Sequence, residues 1–93
     1  MRDTIARRLR IRAWRRGTKE MDLILGPYAD AYLDHMNAEA LSRFEALMEE
    51  NDQDLYQWVS GARIAPERHA ALIAEIARHA RDRLAGSRDV RTI

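Results

Sequence analysis

The sequence predicts an all-α fold, a compact bundle of about five short helices, and three observations support this prediction. Apolar residues recur at three- and four-residue spacing along most of the 93-residue chain, no segment alternates apolar and polar residues as a strand does, and single glycines and prolines separate the helical segments. With a mass of 10.8 kDa, 46% hydrophobic residues and 33% charged residues, we expect residues 1–93 to form a single helical domain.

The first helix is predicted over about residues 4–15, with an apolar face of three residues: Ile5, Leu9 and Ala13. Gly17 supplies the residue type that most easily ends a helix in a left-handed turn. Thr18 then caps a second helix with its hydroxyl. Gly26-Pro27 interrupts that helix, and the pattern resumes to about Met36, so the sequence allows one bent helix or two short ones in series.

Three more helices follow, each with a start signal. Asn37 caps the third helix, which ends near Glu50, and Asn51 or Asp52 caps a short fourth helix that Gly61 closes. Pro66 opens the last helix, for which we expect order to about residue 85 and a polar tail over residues 87–93. The predicted core includes Phe44, Leu47, Leu55, Trp58, Ile73 and Ile76.

The net charge of +1 conceals a strong segregation of charge along the chain. Residues 1–20 carry +6, residues 21–60 carry −8 and residues 61–93 carry +3. A basic end beside an acidic middle is compatible with an arm that binds nucleic acid, with pairing of opposite charges inside the molecule, or with a docking surface for a charged partner. Composition does not choose among these three.

Residues that could support catalysis or metal binding are scarce. The chain has no cysteine, its three histidines fall on different predicted helices, and its four glycines stand singly. Thiol nucleophiles are therefore excluded, and we expect no metal site, no phosphate-binding glycine loop and no serine-based catalytic centre. We predict that the protein is not an enzyme and has no cofactor of its own.

The most distinctive segment is the turn after the first helix, where opposite charges flank Gly17. Arg16 and Glu20 lie four positions apart, and a solvated ion pair at this spacing contributes only about 0.3 to 0.5 kcal/mol. On spacing alone, a local ion pair beside a helix-ending glycine explains the segment. If instead the turn holds both side chains outward for another molecule, replacing either with alanine should barely alter thermal unfolding.

The pattern Arg16-Gly17-x-x-Glu20, after a basic helix and before Asp22, resembles the Arg-Gly-x-x-Glu motif of the succinate dehydrogenase assembly factor 2 family, the flavinylation factors also called FAD assembly factors. Further similarity extends over roughly residues 5–85 and includes His35-Met36, Phe44 and Leu47, and Asp54-Leu55-Tyr56-x-Trp58. Thr18 departs from the large apolar residue often found after the motif glycine, which affects the packing of the turn but not the charged pair.

The resemblance implies a small helical chaperone that binds the flavoprotein subunit of succinate dehydrogenase, and often that of fumarate reductase, while FAD becomes covalently attached to a histidine of that partner. Carried over onto this sequence, the motif places Arg16, Gly17 and Glu20 at the partner. Three neighbours join them as further candidate contacts: Arg15, Lys19 and Asp22. The resemblance also implies a bacterial cytoplasmic protein without membrane insertion that is a monomer when free.

Two alternatives from other classes remain at this point. A basic helical nucleic-acid-binding protein would use the arginines of the first helix against phosphates: Arg7, Arg8, Arg10, Arg12, Arg15 and Arg16. An antitoxin-like regulatory protein is neither favoured nor disfavoured by any residue. The Arg-rich opening, Arg2 to Arg16, also resembles a mitochondrial transit peptide, but it runs directly into the motif, and we therefore include it in the domain.

Overall fold

A computed structural model describes the backbone of residues 2–92 and the side chains of residues 3–84. Over this part of the chain the protein has five α-helices and no strand, which confirms the predicted all-α class. The helices are α1 (Arg2–Trp14), α2 (Lys19–Tyr32), α3 (Ala38–Met48), α4 (Asp52–Ser60) and α5 (Glu67–Thr92), and a single 3₁₀ turn, Leu33–His35, follows α2. No helix in the described range is long and apolar enough to cross a membrane.

The predicted caps are found where the sequence placed them. The side chains of Thr18 and Asn37 accept hydrogen bonds from backbone N–H groups in the first turns of α2 and α3. Asn51, and not Asp52, caps α4, and Gly61 closes α4 with a φ of +86°. These contacts satisfy N–H groups that a helix end otherwise leaves without a partner.

Two helices contain residues that often interrupt a helix. α2 is a single helix that contains Pro27, so the alternative of two short helices is wrong. α5 continues through Gly86 to Thr92, because one glycine costs a helix only about 1 kcal/mol and does not by itself stop it. The expected order to about residue 85 stays a prediction. The side chains of the predicted polar tail, residues 87–93, lie outside the described part.

One core joins all five helices. α1 packs on α2 and α3, while α5 contacts α2, α3 and α4. The predicted core residues Phe44, Leu47, Leu55, Ile73 and Ile76 are buried, and Trp58 is partly buried against them. The core also contains residues from the first two helices, the largest being Leu9, Met21, Leu25 and Tyr28.

The α1–α2 contact depends on Gly26, in the middle of α2. The indole ring of Trp14 lies directly over this glycine, where a methyl group would overlap the ring, and Trp14 Nε1 donates to both carboxylate oxygens of Asp30 at 3.2 Å. The pattern break at Gly26 therefore marks a close approach of two helices rather than a helix end. Since Trp14 is the last residue of α1, this contact helps to fix where the following turn begins.

We predict that Gly26→Ala destabilises the fold by about 1 to 3 kcal/mol, because relief of the overlap displaces the Trp14 ring, and that this loss exceeds the helix propensity gained by alanine. The measurement is urea unfolding at pH 7. In a Trp14→Ala background the overlap is gone, so the same Gly26→Ala change should become neutral or stabilising. Equal destabilisation in both backgrounds would contradict the proposed packing.

Candidate functional site at the Gly17 turn

The turn between α1 and α2 has the backbone geometry that the sequence predicts. Gly17 has a φ of +118°, a conformation that side-chain-bearing residues rarely adopt. Thr18 Oγ1 accepts a hydrogen bond from the Met21 N–H at 3.3 Å, and Asp22 Oδ1 accepts one from the Arg16 N–H at 2.6 Å. The first turn of α2 thus fixes the backbone on both sides of Gly17.

The guanidinium of Arg16 points into the protein and not outward. Its Nε donates to Asp52 Oδ1 at 2.7 Å, its Nη1 to the Met48 carbonyl at 2.7 Å and its Nη2 to the Glu50 carbonyl at 2.5 Å. The side chain is only 10% exposed, and the Asp52 side chain is 17% exposed. The expectation that Arg16 is held outward is therefore wrong, and these contacts predict that removing the guanidinium lowers the stability of the fold.

These contacts close the C-terminal end of α3. The last carbonyl groups of a helix have no partner inside it and carry the negative end of the helix dipole, so a cation there is favourable. Arg16 binds one such carbonyl, that of Met48, together with the Glu50 carbonyl two residues further on. Arg12 Nη2 also donates to the Met48 carbonyl at 3.2 Å, and to Glu49 Oε2 at 2.8 Å. Arg12 of α1 and Arg16 of the following turn thus cap the end of α3.

Spacing along the sequence suggested the wrong partner for Arg16. Glu20 is four positions away, but among the described residues Arg16 and Glu20 form no ion pair. The actual partners lie 32 to 36 positions further along the chain, where no local pattern reveals them. The only sequence signal was the acidic Asp52 immediately after the Asn51 cap, which by itself indicates only a helix start.

Gly17 also lies close to the partner of Arg16. A Cβ added to Gly17 would be 3.4 Å from Asp52 Oδ2, so the turn packs directly on the carboxylate that holds the guanidinium. A larger residue would strain the backbone because the φ of Gly17 is positive, and its Cβ would lie in contact with the Asp52 carboxylate. The positive φ thereby explains the glycine of the motif.

The remaining motif residues divide into exposed and partly buried ones. Glu20, Arg15 and Lys19 are exposed, and in the described part of the chain their side chains have no hydrogen-bonding partner. Asp22 is partly buried and serves the turn itself. The site therefore consists of an inner set that shapes the turn, Arg16 and Asp22, and an outer set available to another molecule.

An open groove of about 390 Å³ lies beside the outer set, between the start of α2 and the start of α4. It is lined by Thr18, Glu20, Asp52, Gln53 and Tyr56. The Tyr56 side chain is 48% exposed, and such a half-exposed aromatic ring is typical of residues that protein partners cover. Neither Tyr56 nor Gln53 has a local spacing relation to Glu20, so the sequence indicates Tyr56 only as part of a family-like segment and does not indicate Gln53.

A second ionic link ties the same chain segment to α5. Glu50 Oε2 lies 2.9 Å from Nε2 of the buried His69 and accepts a hydrogen bond from Arg68 Nη2 at 3.0 Å. The hydrogen bond from His69, followed by that from Arg68, lowers the pKa of Glu50 below its ordinary value. Since the Glu50 carbonyl holds Arg16, this one residue connects α5 to the Gly17 turn.

The segregated charges of the sequence are partly neutralised inside the molecule. Arg10 pairs with Asp34 at 2.7 Å, Arg12 with Glu49 at 2.8 Å and Arg16 with Asp52 at 2.7 Å. Three of the six arginines that a nucleic-acid-binding function would use are thus engaged by carboxylates of the acidic middle segment. Intramolecular pairing, one of the three predicted explanations of the charge pattern, accounts for these residues.

Comparison with known proteins adds an independent result. The family sequence model described as Sdh5, flavinator of succinate dehydrogenase, matches residues 7–80. This range contains the Gly17 turn, the groove and the Glu50–His69 link. This family match offers no support for the nucleic-acid-binding or antitoxin-like alternative.

Individual relatives give the same result. The chain is 41% identical over 64 residues to the FAD assembly factor SdhE of Acetobacter pasteurianus, covering 69% of this chain and 59% of that protein. It is 42% identical over 57 residues to the mitochondrial succinate dehydrogenase assembly factor 2 of Aspergillus flavus, which covers 61% of this chain and 20% of that protein. It is 33% identical over 81 residues to the corresponding protein of Cryptococcus neoformans, which covers 85% of this chain and 46% of that protein. The chain thus spans between a fifth and three fifths of the length of these relatives.

We predict that the Glu50 link makes stability depend on pH in acid. Because the pKa of Glu50 is lowered by folding, its contribution is present above the unfolded value of 4.5 and is lost as the pH falls through the lower folded value. Glu50→Gln should therefore reduce the free energy of unfolding at pH 6, and the difference from the unsubstituted protein should shrink below about pH 4. Urea unfolding across this range measures the difference.

Glu45→Gln is the matched control, since Glu45 is exposed on α3 and has no partner among the described residues. Its effect should be small at every pH. A Glu50→Gln effect that stays constant between pH 6 and pH 3 would mean that the carboxylate charge is not what stabilises the link.

Proposed function

Because this chain belongs to the Sdh5 family of flavinators of succinate dehydrogenase, we propose that it is an assembly factor that binds the flavoprotein subunit of succinate dehydrogenase and promotes covalent attachment of FAD to that subunit. The single observation that carries this proposal is the geometry of the Gly17 turn. The carboxylate of Glu20 is exposed at the edge of a groove, while the three guanidinium nitrogens of Arg16 all donate hydrogen bonds inside the protein.

The proposed mechanism is selection of a partner conformation. Attachment of a flavin to a histidine requires the isoalloxazine ring and the imidazole to be held in one orientation, and such alignment is worth several kcal/mol. A protein that binds only the aligned conformer increases its population by the free energy of that differential binding. The assembly factor then needs no nucleophile, and the covalent bond forms entirely within the partner.

Each residue of the turn has a separate role in this proposal. Glu20 binds a cation or a hydrogen-bond donor of the flavoprotein, and Arg15 and Lys19 contact the flavoprotein close to this point. Gly17 is exposed, and its backbone contacts the partner beside Glu20. Arg16 and Asp22 act as positioning residues that hold this surface in shape through their contacts within the turn and with the α3–α4 connection.

The finer parts of the proposal follow from the same assignment. The protein is not an enzyme and has no cofactor of its own, because FAD is bound and modified on the partner. The flavoprotein subunit of fumarate reductase is a second client, since it is chemically related and also requires covalent attachment of FAD. The free protein is a monomer in the bacterial cytoplasm, where it binds the flavoprotein subunit before the membrane complex is assembled.

We predict that Glu20→Gln lowers covalent flavin incorporation while leaving stability within about 0.5 kcal/mol, because an exposed carboxylate contributes little to folding. Loss of a charged contact buried at the interface costs about 2 kcal/mol or more, which corresponds to a roughly 30-fold rise in Kd. Purified flavoprotein subunit is incubated with FAD with and without the factor, denatured and separated by electrophoresis, and the flavin fluorescence remaining on the polypeptide is measured.

Glu45→Gln, which removes the same charge from a distant exposed site on α3, serves as the control and should retain full incorporation. Flavin fluorescence that is unchanged when the unsubstituted factor is omitted would refute the function itself. Incorporation that needs the factor but is indifferent to Glu20→Gln would leave the function in place and refute the role of Glu20.

A further inference from the structure

The outward face of α1 carries positive charge that no group in the described part of the protein neutralises. Within residues 3–84, six cationic side chains form neither an ion pair nor a hydrogen bond: Arg7, Arg8, Arg15, Lys19, Arg78 and Arg81. Four of these six belong to α1, the Gly17 turn and the first residue of α2. The unneutralised charge is therefore concentrated at one end of the chain.

An exposed apolar side chain lies at the centre of this face. Ile11 is 50% exposed, and Arg7 and Arg8 lie four and three positions before it, on the same side of the helix. Arg15, which is also exposed, directly follows the end of the helix. Trp14, three positions after Ile11, is 38% exposed at the edge of the same face. Four side chains, Arg7, Arg8, Ile11 and Arg15, define what we call the α1 face.

The other arginines of the same region point in a different direction. Arg10, Arg12 and Arg16 reach carboxylates in the 3₁₀ turn after α2, just beyond the end of α3 and at the start of α4. The side of α1 that packs in the core consists of Ala6, Leu9 and Ala13. The arginines thus fall into an engaged set and an unengaged set according to their position around the helix. Unneutralised charge is a property of the α1 face and not of an arginine-rich composition.

We propose that the α1 face docks on an acidic surface of the flavoprotein subunit that has an apolar residue opposite Ile11. Interfaces between proteins are enriched in arginine and in apolar or aromatic centres surrounded by polar groups, and the α1 face has this arrangement. Unpaired like charges repel one another, and an acidic partner relieves that repulsion on binding. Charge complementarity of this kind accelerates association more than it slows dissociation.

Two other polyanions fit the α1 face less well. A phosphate backbone offers no apolar partner for Ile11, and three arginines are few compared with the phosphate contacts of nucleic-acid-binding proteins. A helix that lies in a membrane surface needs its apolar side free, but the apolar side of α1 is buried against α2 and α3. An acidic protein surface is the occupant that satisfies both the charges and the isoleucine.

This inference rests on the proposed function, and it is tested with the full chain and purified flavoprotein subunit. Association and dissociation rates are measured by biolayer interferometry at 50 and 300 mM NaCl for the unsubstituted protein, the double variant Arg7→Gln/Arg8→Gln and a control of equal charge, Arg78→Gln/Arg81→Gln. The α1 variant should associate about tenfold more slowly at 50 mM NaCl and show a weaker salt dependence, while the control stays within about twofold. Ile11→Ser should mainly speed dissociation.

The outcomes separate the inference from the function on which it rests. If the unsubstituted protein promotes flavin attachment but the α1 variant associates like the control, the α1 face is not a docking surface. Tighter binding of the unsubstituted protein to a 20-base-pair duplex, or to phosphatidylglycerol vesicles, than to the flavoprotein would also overturn the proposed occupant. If the unsubstituted protein neither binds the flavoprotein nor promotes flavin attachment, the proposed function itself fails.

Discussion

The organisation of this protein depends on one guanidinium group, that of Arg16, fastened to the end of α3 and the start of α4. Its contacts with the Met48 and Glu50 carbonyls and with the Asp52 carboxylate join parts of the chain that are more than 30 residues apart. A nearly buried cation of this kind is tolerable only when it is paired and hydrogen-bonded, and here each of its three nitrogen atoms donates to an oxygen of the protein. Because Arg16 immediately precedes Gly17, the same contacts set the direction in which the α1–α2 turn projects.

The two charged residues of the Arg-Gly-x-x-Glu motif therefore have different roles. Arg16 is anchored inside and shapes the surface, whereas Glu20 is left at that surface beside the groove. Gly17 serves both, since its positive φ makes the turn that lies between Arg16 and Glu20. Through Glu50 the network continues to His69 on α5, so a residue remote from the turn in sequence contributes to its position.

Local physical chemistry made most of the fold predictable from the sequence. Helix starts at Thr18 and Asn37 and the left-handed residues Gly17 and Gly61 follow from backbone hydrogen bonding and sterics, which act over a few residues. The internal orientation of Arg16 could not be predicted in this way, because two of its three acceptors are backbone carbonyls, which every residue possesses, and all three lie more than 30 positions away along the chain. Gly26 was misread for the same reason, since its partner, the Trp14 ring, belongs to another helix.

The most direct test of the account compares the unfolding free energies of Arg16→Gln and Glu20→Gln in urea at pH 7. If Arg16 is an internal anchor, Arg16→Gln should lower the free energy of unfolding by about 3 kcal/mol, because Asp52 and the Met48 and Glu50 carbonyls lose their charged donor. Glu20→Gln should change the free energy of unfolding by less than about 0.5 kcal/mol. Equal and small effects of both substitutions would contradict it, since they would mean that Arg16, like Glu20, is free to leave the protein interior.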